Sequence, residues 1–392
     1  MTTIDGTVVA DPTELGLDPD RLAALIDRAR REVDAGLLPS CQLAVARHGR
    51  LGAFVTLGEA DNNSRYVVFS CTKALTAGMA WLLLGQGALT TSTRAAELVP
   101  EFGTNGKEVV TLEHLLTHTA GFPNAPLGPP EWNTAEGRLE RFSRWRLEWE
   151  PGSRYVYHPT SAHWVVAHMI QAATGQDHRS FFTERIAGPL GLEAIRLGLP
   201  RSEQANVATL EIRGEPATPD ELEAALGIRQ LPVTEVTDEA LVGFNDPAAR
   251  EVGVPGGGAV TTAADLALYY QALLHNPGGL WDADVLADAT GAVRVTMPDP
   301  LMGSPANRTL GLIIAGDDGK ANLRGFGRTV SGRAFGHGGA AGQIAWADPE
   351  TGLSFAYVTN GIDPHPIRLA RRGVALSSLA GACAPPSAVE SR

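Results

Sequence analysis

The stretch Phe69-Ser70-Cys71-Thr72-Lys73 sets a hydroxyl and an amine three residues apart at the entry to an apolar run. On a helix, spacing i to i+3 brings both groups to one face, close enough to share a proton. The helix start surrounds the serine with free N–H groups and positive potential. A serine hydroxyl is a weak nucleophile until a base removes its proton, and a partly desolvated lysine helps to do so. The chemistry on offer is acyl transfer through a serine ester. A capping serine followed by a solvated lysine has the same four-residue pattern, so the motif alone does not decide.

Other leads carry less. His114-Leu-Leu-Thr-His118 has the i, i+4 spacing of a zinc helix, but Leu115 stands where a metalloprotease needs Glu and no third ligand suggests itself, so no metal is expected. Cys71 has nothing local but the helix start to lower its pKa, and it reads as packing. The run Gly336 to Gly342 echoes a dinucleotide loop, yet Gln343 to Ala347 alternates like a strand where the fingerprint needs a helix. The chain contains neither a Gly-x-Ser-x-Gly elbow nor a Walker loop.

Four further segments follow the Ser-x-x-Lys pair in order. They are Leu115-Leu-Thr-His-Thr-Ala-Gly-Phe122, Pro151-Gly-Ser-Arg-Tyr-Val-Tyr157, Gly256-Gly-Gly-Ala-Val-Thr-Thr-Ala-Ala-Asp265, and Gly336-His-Gly-Gly339 before a strand pair ending Tyr357-Val-Thr-Asn360. From about residue 20 to about 380 this ordered set resembles the serine β-lactamase-like superfamily: class C β-lactamases, DD-peptidases and, closest in character, family VIII carboxylesterases. The resemblance implies an α+β fold and makes Ser70 the acylated nucleophile with Lys73 as its proton-sharing partner. Tyr157 matches the tyrosine of the family's Tyr-x-Asn element, the general base. A phenol titrates near pH 10, so nearby cations must lower its pKa. His337, Gly338 and Gly339 match the Lys-Thr-Gly element beside the substrate. The implied oxyanion hole is the backbone N–H of Ser70 and of Ala340.

Two departures shape the expected function. Pro159 stands where Tyr-x-Asn has its amide, and its side chain neither donates nor accepts a hydrogen bond. His337 replaces a lysine, so a neutral imidazole stands where a fixed charge would meet a substrate carboxylate. Both weaken recognition of β-lactams and D-Ala-D-Ala peptides while sparing the bond-breaking groups. The expectation is a carboxylesterase acting on small to medium acyl esters, with no cofactor. β-Lactamase, D-amino-acid amidase or peptidase, and acyltransferase are alternatives within the same chemistry, and a non-catalytic binding homologue is one outside it. Phe122, Trp132 and Trp346 lie near motif segments and are candidates for an acyl pocket.

The elements that must hold these groups read as follows. Helical periodicity marks Asp18 to Ala35, Cys71 to Leu84, Glu113 to Thr117, Ala135 to Arg146, Ser161 to Thr174, Thr262 to Leu274 and Pro364 to Leu379. Strand-like runs cover Cys41 to Arg47, Leu51 to Leu57, Leu310 to Ile314, Ala334 to His337, Gln343 to Ala347 and Leu353 to Val358. Strands at both ends and helices between predict an antiparallel sheet flanked by helices, formed by residues 1–85 and 250–392, with 86–249 as an inserted, mainly helical lobe. Residues 1–17 read as a soluble arm and 380–392 as a frayed tail.

Composition agrees with a compact, acidic globular protein. The 392 residues are 44% hydrophobic, and 44 acidic against 32 basic side chains give a net charge of −12. That charge argues against nucleic acid and anionic lipid as partners, the resemblance implies a small-molecule ester as substrate, and oligomeric state is not encoded in any pattern. Three cysteines without a paired framework and a basic-free, weakly apolar start lead to the expectation of a reduced, cytoplasmic protein.

Overall fold

The computed structural model describes residues 2–4, 7–231 and 236–385. Its centre is an eight-stranded sheet in the order Thr2–Ile4, Thr7–Val9, Arg50–Gly58, Ser40–Arg47, Leu353–Thr359, Ile344–Asp348, Phe335–Gly336 and Ile313–Ile314. Neighbours are antiparallel except where Val9 pairs with Leu51 in parallel. The chain's two ends meet in the middle, because Ser40–Arg47 pairs along its length with Leu353–Thr359. Every residue of Ser40–Arg47 is buried, as a strand covered on both faces must be.

Alternation along the strands splits the apolar residues into two cores. One face packs Leu43, Val45, Phe355 and Tyr357 against the helices Pro19–Asp34 and Pro366–Gly381. The other packs Ala44, Ala46, Ala345 and Ala356 against the helix Ala263–His275. Alanines on that face let the helix approach closely. The Pro19–Asp34 helix starts as its sequence dictates, with Asp18 accepting from the N–H groups of Asp20 and Arg21 and Pro19 at the first position. Thr72–Gly85 is buried from Thr72 to Leu83 and has no polar face. It must therefore be enclosed, and it packs on Ser161–Thr174 of the helical segment. The larger core draws residues from both sides of position 86, so lobe and sheet share one apolar interior.

A small three-stranded sheet of Tyr66–Val67, Ala259–Thr261 and Arg196–Leu197 ties the start of the Thr72–Gly85 helix to the glycine run 256–258.

Three expectations change. Residues 7–9 of the expected arm pair onto the sheet, where the edge of Arg50–Gly58 offers free backbone groups. The expected tail is ordered as far as it is described: the final helix reaches Gly381, Cys383 and Ala384 are buried, and Cys383 O accepts from Asp18 N–H. Residues 386–392 lie outside the described residues. The strand expected over 310–314 shortens to Ile313–Ile314, since Gly311 turns the chain at φ +105°. Among the described residues no helix is long and apolar enough to cross a membrane.

Candidate active site

Ser70 sits in a 3-10 turn, Phe69–Cys71, that runs directly into the Thr72–Gly85 helix. One helical turn brings Lys73 Nζ to 3.2 Å from Ser70 Oγ. Lys73 is fully buried and also donates to the carbonyl oxygens of Pro159, at 2.6 Å, and Gly256, at 2.7 Å. These two carbonyls hold the amine at Ser70. Pro159 thus serves through its backbone although its side chain is inert, and the glycine run supplies the second acceptor. Gly256 must be glycine, because a Cβ there would lie 2.9 Å from Pro159 O and 3.2 Å from Thr160 Cα.

Tyr157 completes the group. Lys73 Nζ lies 4.9 Å from its ring centroid. The guanidinium of Arg308 is 5.3 Å from the same centroid. Burial pushes the Tyr157 phenol above its ordinary pKa; Arg308 and the nearby Ser70 hydroxyl pull the other way and are the weaker influences. The expectation that cations lower this phenol is therefore met in sign by its neighbours but not in total. Desolvation wins, and Tyr157 rests protonated.

The strand edge brings His337-Gly-Gly to the site. Gly339 approaches so closely that a Cβ would meet Val68 O at 2.4 Å. Ala340, next in the chain, packs in the same apolar cluster as Phe69, beside Ser70. The N–H groups of Ala340, first in its 3-10 turn, and of Ser70 lack intrahelical acceptors, as helix starts do. Phe69, Ala341 and His118 adopt positive φ of 43°, 57° and 60° without being glycine. Backbone strain of this kind concentrates at functional sites.

His337 has a fixed tautomer. Its Nδ1 donates to Gly338 O at 2.7 Å, so Nε2 bears the lone pair that accepts from Arg308 Nη1 at 3.1 Å. Burial, then Arg308 and Lys73, hold its pKa well below the usual value. The charge that sequence reasoning found missing at His337 is present beside it, on Arg308. That residue belongs to a segment without periodicity, and nothing in the sequence marks it. His158 is likewise neutral, pushed down to about 4 by burial, with Nδ1 donating to Val156 O and Nε2 accepting from Phe122 N–H.

The aromatic pocket candidates do not converge. Trp346 faces the opposite side of the sheet, buried among Leu22, Leu25 and Phe355. Its strand partner Gly336 is one residue out of register with the site face, and period-two alternation turns it away. Phe122 is fully buried, stacked on Trp145 at 5.7 Å and edge-on to His158, so it supports the site from below and lines no surface. Trp132, in the turn Glu131–Asn133, is partly exposed and packs against the larger core.

The other leads resolve structurally. Cys71 is buried, and desolvation pushes its thiol up. His114 closes a capping box with Thr111. No cluster of three or more metal-ligating side chains occurs among the described residues.

The family described as Beta-lactamase matches residues 25–380. The esterase/beta-lactamase LipL of Mycobacterium tuberculosis is 28% identical over 323 residues, covering 76% of this chain and 70% of LipL. A penicillin-binding protein homologue from Caulobacter crescentus superposes with TM-score 0.76 at 25% identity over 94% of this chain and 99% of its own. A family VIII carboxylesterase has the same fold, with TM-score 0.74 at 24% identity and coverage of 94% and 99%.

Proposed function

The chain belongs to the beta-lactamase family and is a serine hydrolase of that fold, and from this premise we propose that it is a carboxylesterase cleaving small to medium acyl esters through an acyl-enzyme on Ser70. One observation carries the reading: Ser70 Oγ lies 3.2 Å from Lys73 Nζ, and the same Nζ lies 4.9 Å from the Tyr157 ring centroid, so nucleophile, amine and phenol are grouped in one place. In the fraction of molecules whose Tyr157 has lost its proton to solvent, Ser70 Oγ bonds to the ester carbonyl carbon while the serine proton passes to the phenolate, beside Lys73. The Ser70 and Ala340 N–H groups meet the developing oxyanion. The ester C–O bond then breaks and the proton leaves with the alcohol. Water attacks the acyl carbon, releases the acid and restores Ser70.

The preference for esters rests on the inert Pro159 side chain and the neutral His337. An alkoxide also needs less help to depart than an amine. The same proposal puts the protein in the reducing cytoplasm, supported by three buried, unpaired cysteines among the described residues.

The purified protein is expected to hydrolyse p-nitrophenyl acetate and butyrate and to be labelled by a serine-reactive phosphonate. Ser70→Ala is expected to lose both; turnover persisting in that variant overturns the assignment. A second reading, acylation by β-lactams or D-amino-acid amides, is favoured by the guanidinium of Arg308 beside His337, and nitrocefin turnover comparable to ester turnover would select it.

A further inference from the structure

Other buried arginines among the described residues meet carboxylate or carbonyl oxygens. Arg372 pairs with Asp363 and Glu32. Arg47 donates to the carbonyls of Leu15, Gly16 and Thr351, and Arg250 to those of Phe244 and Asn245. Arg308, only 5% exposed, is different. Its Nε donates to the Tyr155 hydroxyl at 2.9 Å and its Nη1 to His337 Nε2. Its guanidinium lies over two phenol rings, 5.5 Å from Tyr155 and 5.3 Å from Tyr157. Among the described residues neither carboxylate nor carbonyl meets it. A buried cation held by neutral groups is costly unless an anion arrives.

We propose that Arg308 is a positioning residue that supplies the counter-charge for Tyr157, stabilising the phenolate that takes the proton of Ser70. This rests on the role given to Tyr157 above.

The neighbours of Tyr157 leave this role to few groups. Lys73 faces the ring from the Thr72–Gly85 helix, and the Ser70 hydroxyl lies near enough to favour the ionised phenol. His118 lies at 4.7 Å between ring centroids and His337 at 6.0 Å. Both imidazoles are held neutral by burial, and Tyr155 and Cys71 oppose ionisation. The cations facing the phenol are Lys73, which also serves Ser70, and Arg308. His337 acts as a strut: with its proton fixed on Nδ1, it can only accept from Arg308 and so aims the guanidinium. The backbone fixes the other end, where Arg308 pairs with Val295 across a narrow hairpin.

The test is the pH dependence of kcat for a neutral ester, p-nitrophenyl butyrate, in wild type, Arg308→Lys and Arg308→Gln. Removing the charge is expected to move the rising limb to higher pH by about one unit, which lowers kcat at pH 7 by about tenfold. KM should stay nearly unchanged. Arg308→Lys keeps the charge without the planar fork and should fall between the two. Thermal unfolding monitors the fold, and the lysine variant keeps the comparison open if the glutamine variant does not fold. An unmoved profile in a folded variant overturns the proposal. So does a loss confined to KM for an ester bearing a carboxylate, mono-p-nitrophenyl succinate, since Arg308 would then serve the substrate. Phosphonate labelling separates the two levels: an unlabelled wild type removes the Ser70 reading and this inference with it, whereas a labelled wild type with an unmoved profile removes this inference alone.

Discussion

Replacing Gly339 by alanine is expected to disable turnover while the fold survives. The added Cβ would sit 2.4 Å from Val68 O, and real Cβ atoms essentially never approach within 3.0 Å, so about 0.6 Å must be recovered. Both partners are backbone, so no flexible side chain can give way. One leads into Ser70 and the other carries the Ala340 N–H, so any separation opens the oxyanion hole. Torsional strain does not enter, because Gly339 is extended at φ −121° and any residue adopts that conformation. A displacement of about 1 Å at a reacting group costs about 10²-fold, and loss of one oxyanion donor about 10²- to 10³-fold. The expected fall in kcat is therefore about 30- to 100-fold, with overpacking costing about 1–3 kcal/mol of stability. Gly338→Ala is the matched control. Its Cβ would lie 3.3 Å from Gln343 O, a contact relieved by a few tenths of an ångström. Its kcat should stay within about threefold of wild type, less than 1 kcal/mol in barrier. Steady-state hydrolysis of p-nitrophenyl butyrate and thermal unfolding of both variants decide the matter. Wild-type kcat in Gly339→Ala, or equal damage in Gly338→Ala, would refute the argument from close approach.

Gly256→Ala is expected to separate the two carbonyls that hold Lys73, lowering kcat by about tenfold, one pKa-unit equivalent in barrier, with KM little altered; the same ester assay checks it. Turnover of the wild type should rise with pH through the neutral range, because burial holds Tyr157 as the phenol and the ionised fraction grows about tenfold per pH unit; a flat profile would speak against Tyr157 as base. Acid should destabilise the fold between about pH 6.5 and 3. His158 and His168 are buried neutral, pushed down to about 4 and about 3, so the unfolded chain binds protons first and stability falls as pH drops through that window. His158 alone is worth on the order of 3 kcal/mol. Denaturant unfolding at pH 7 and pH 5 measures it, and equal stability at the two would contradict the burial argument.

Local chemistry was legible in the chain. The i, i+3 spacing of Ser70 and Lys73 is converted to a shared helical face by backbone geometry alone, and the sheet strands and the helices over 19–34, 72–85 and 161–174 follow from periodicity and caps. The ordered motifs singled out Tyr157 and the His337-Gly-Gly segment, and the fold brings Tyr157 to Ser70 and the Gly339–Ala340 strand edge beside it. The aromatic pocket failed for a definite reason. Nearness in sequence to a motif does not choose a face, and Trp346 lies one pleat out of phase.

What the amino-acid order determined by itself was whatever depends on neighbours within a turn or two: the nucleophile and its amine, the element boundaries, the alternation that splits the two cores. Tertiary structure alone decided the electrostatics. Arg308 enters the site from a segment without pattern, Pro159 and Gly256 contribute only their carbonyls, and burial reverses the expected balance at Tyr157. Charge acts through space and desolvation depends on the whole surrounding packing. Neither has a period along the chain.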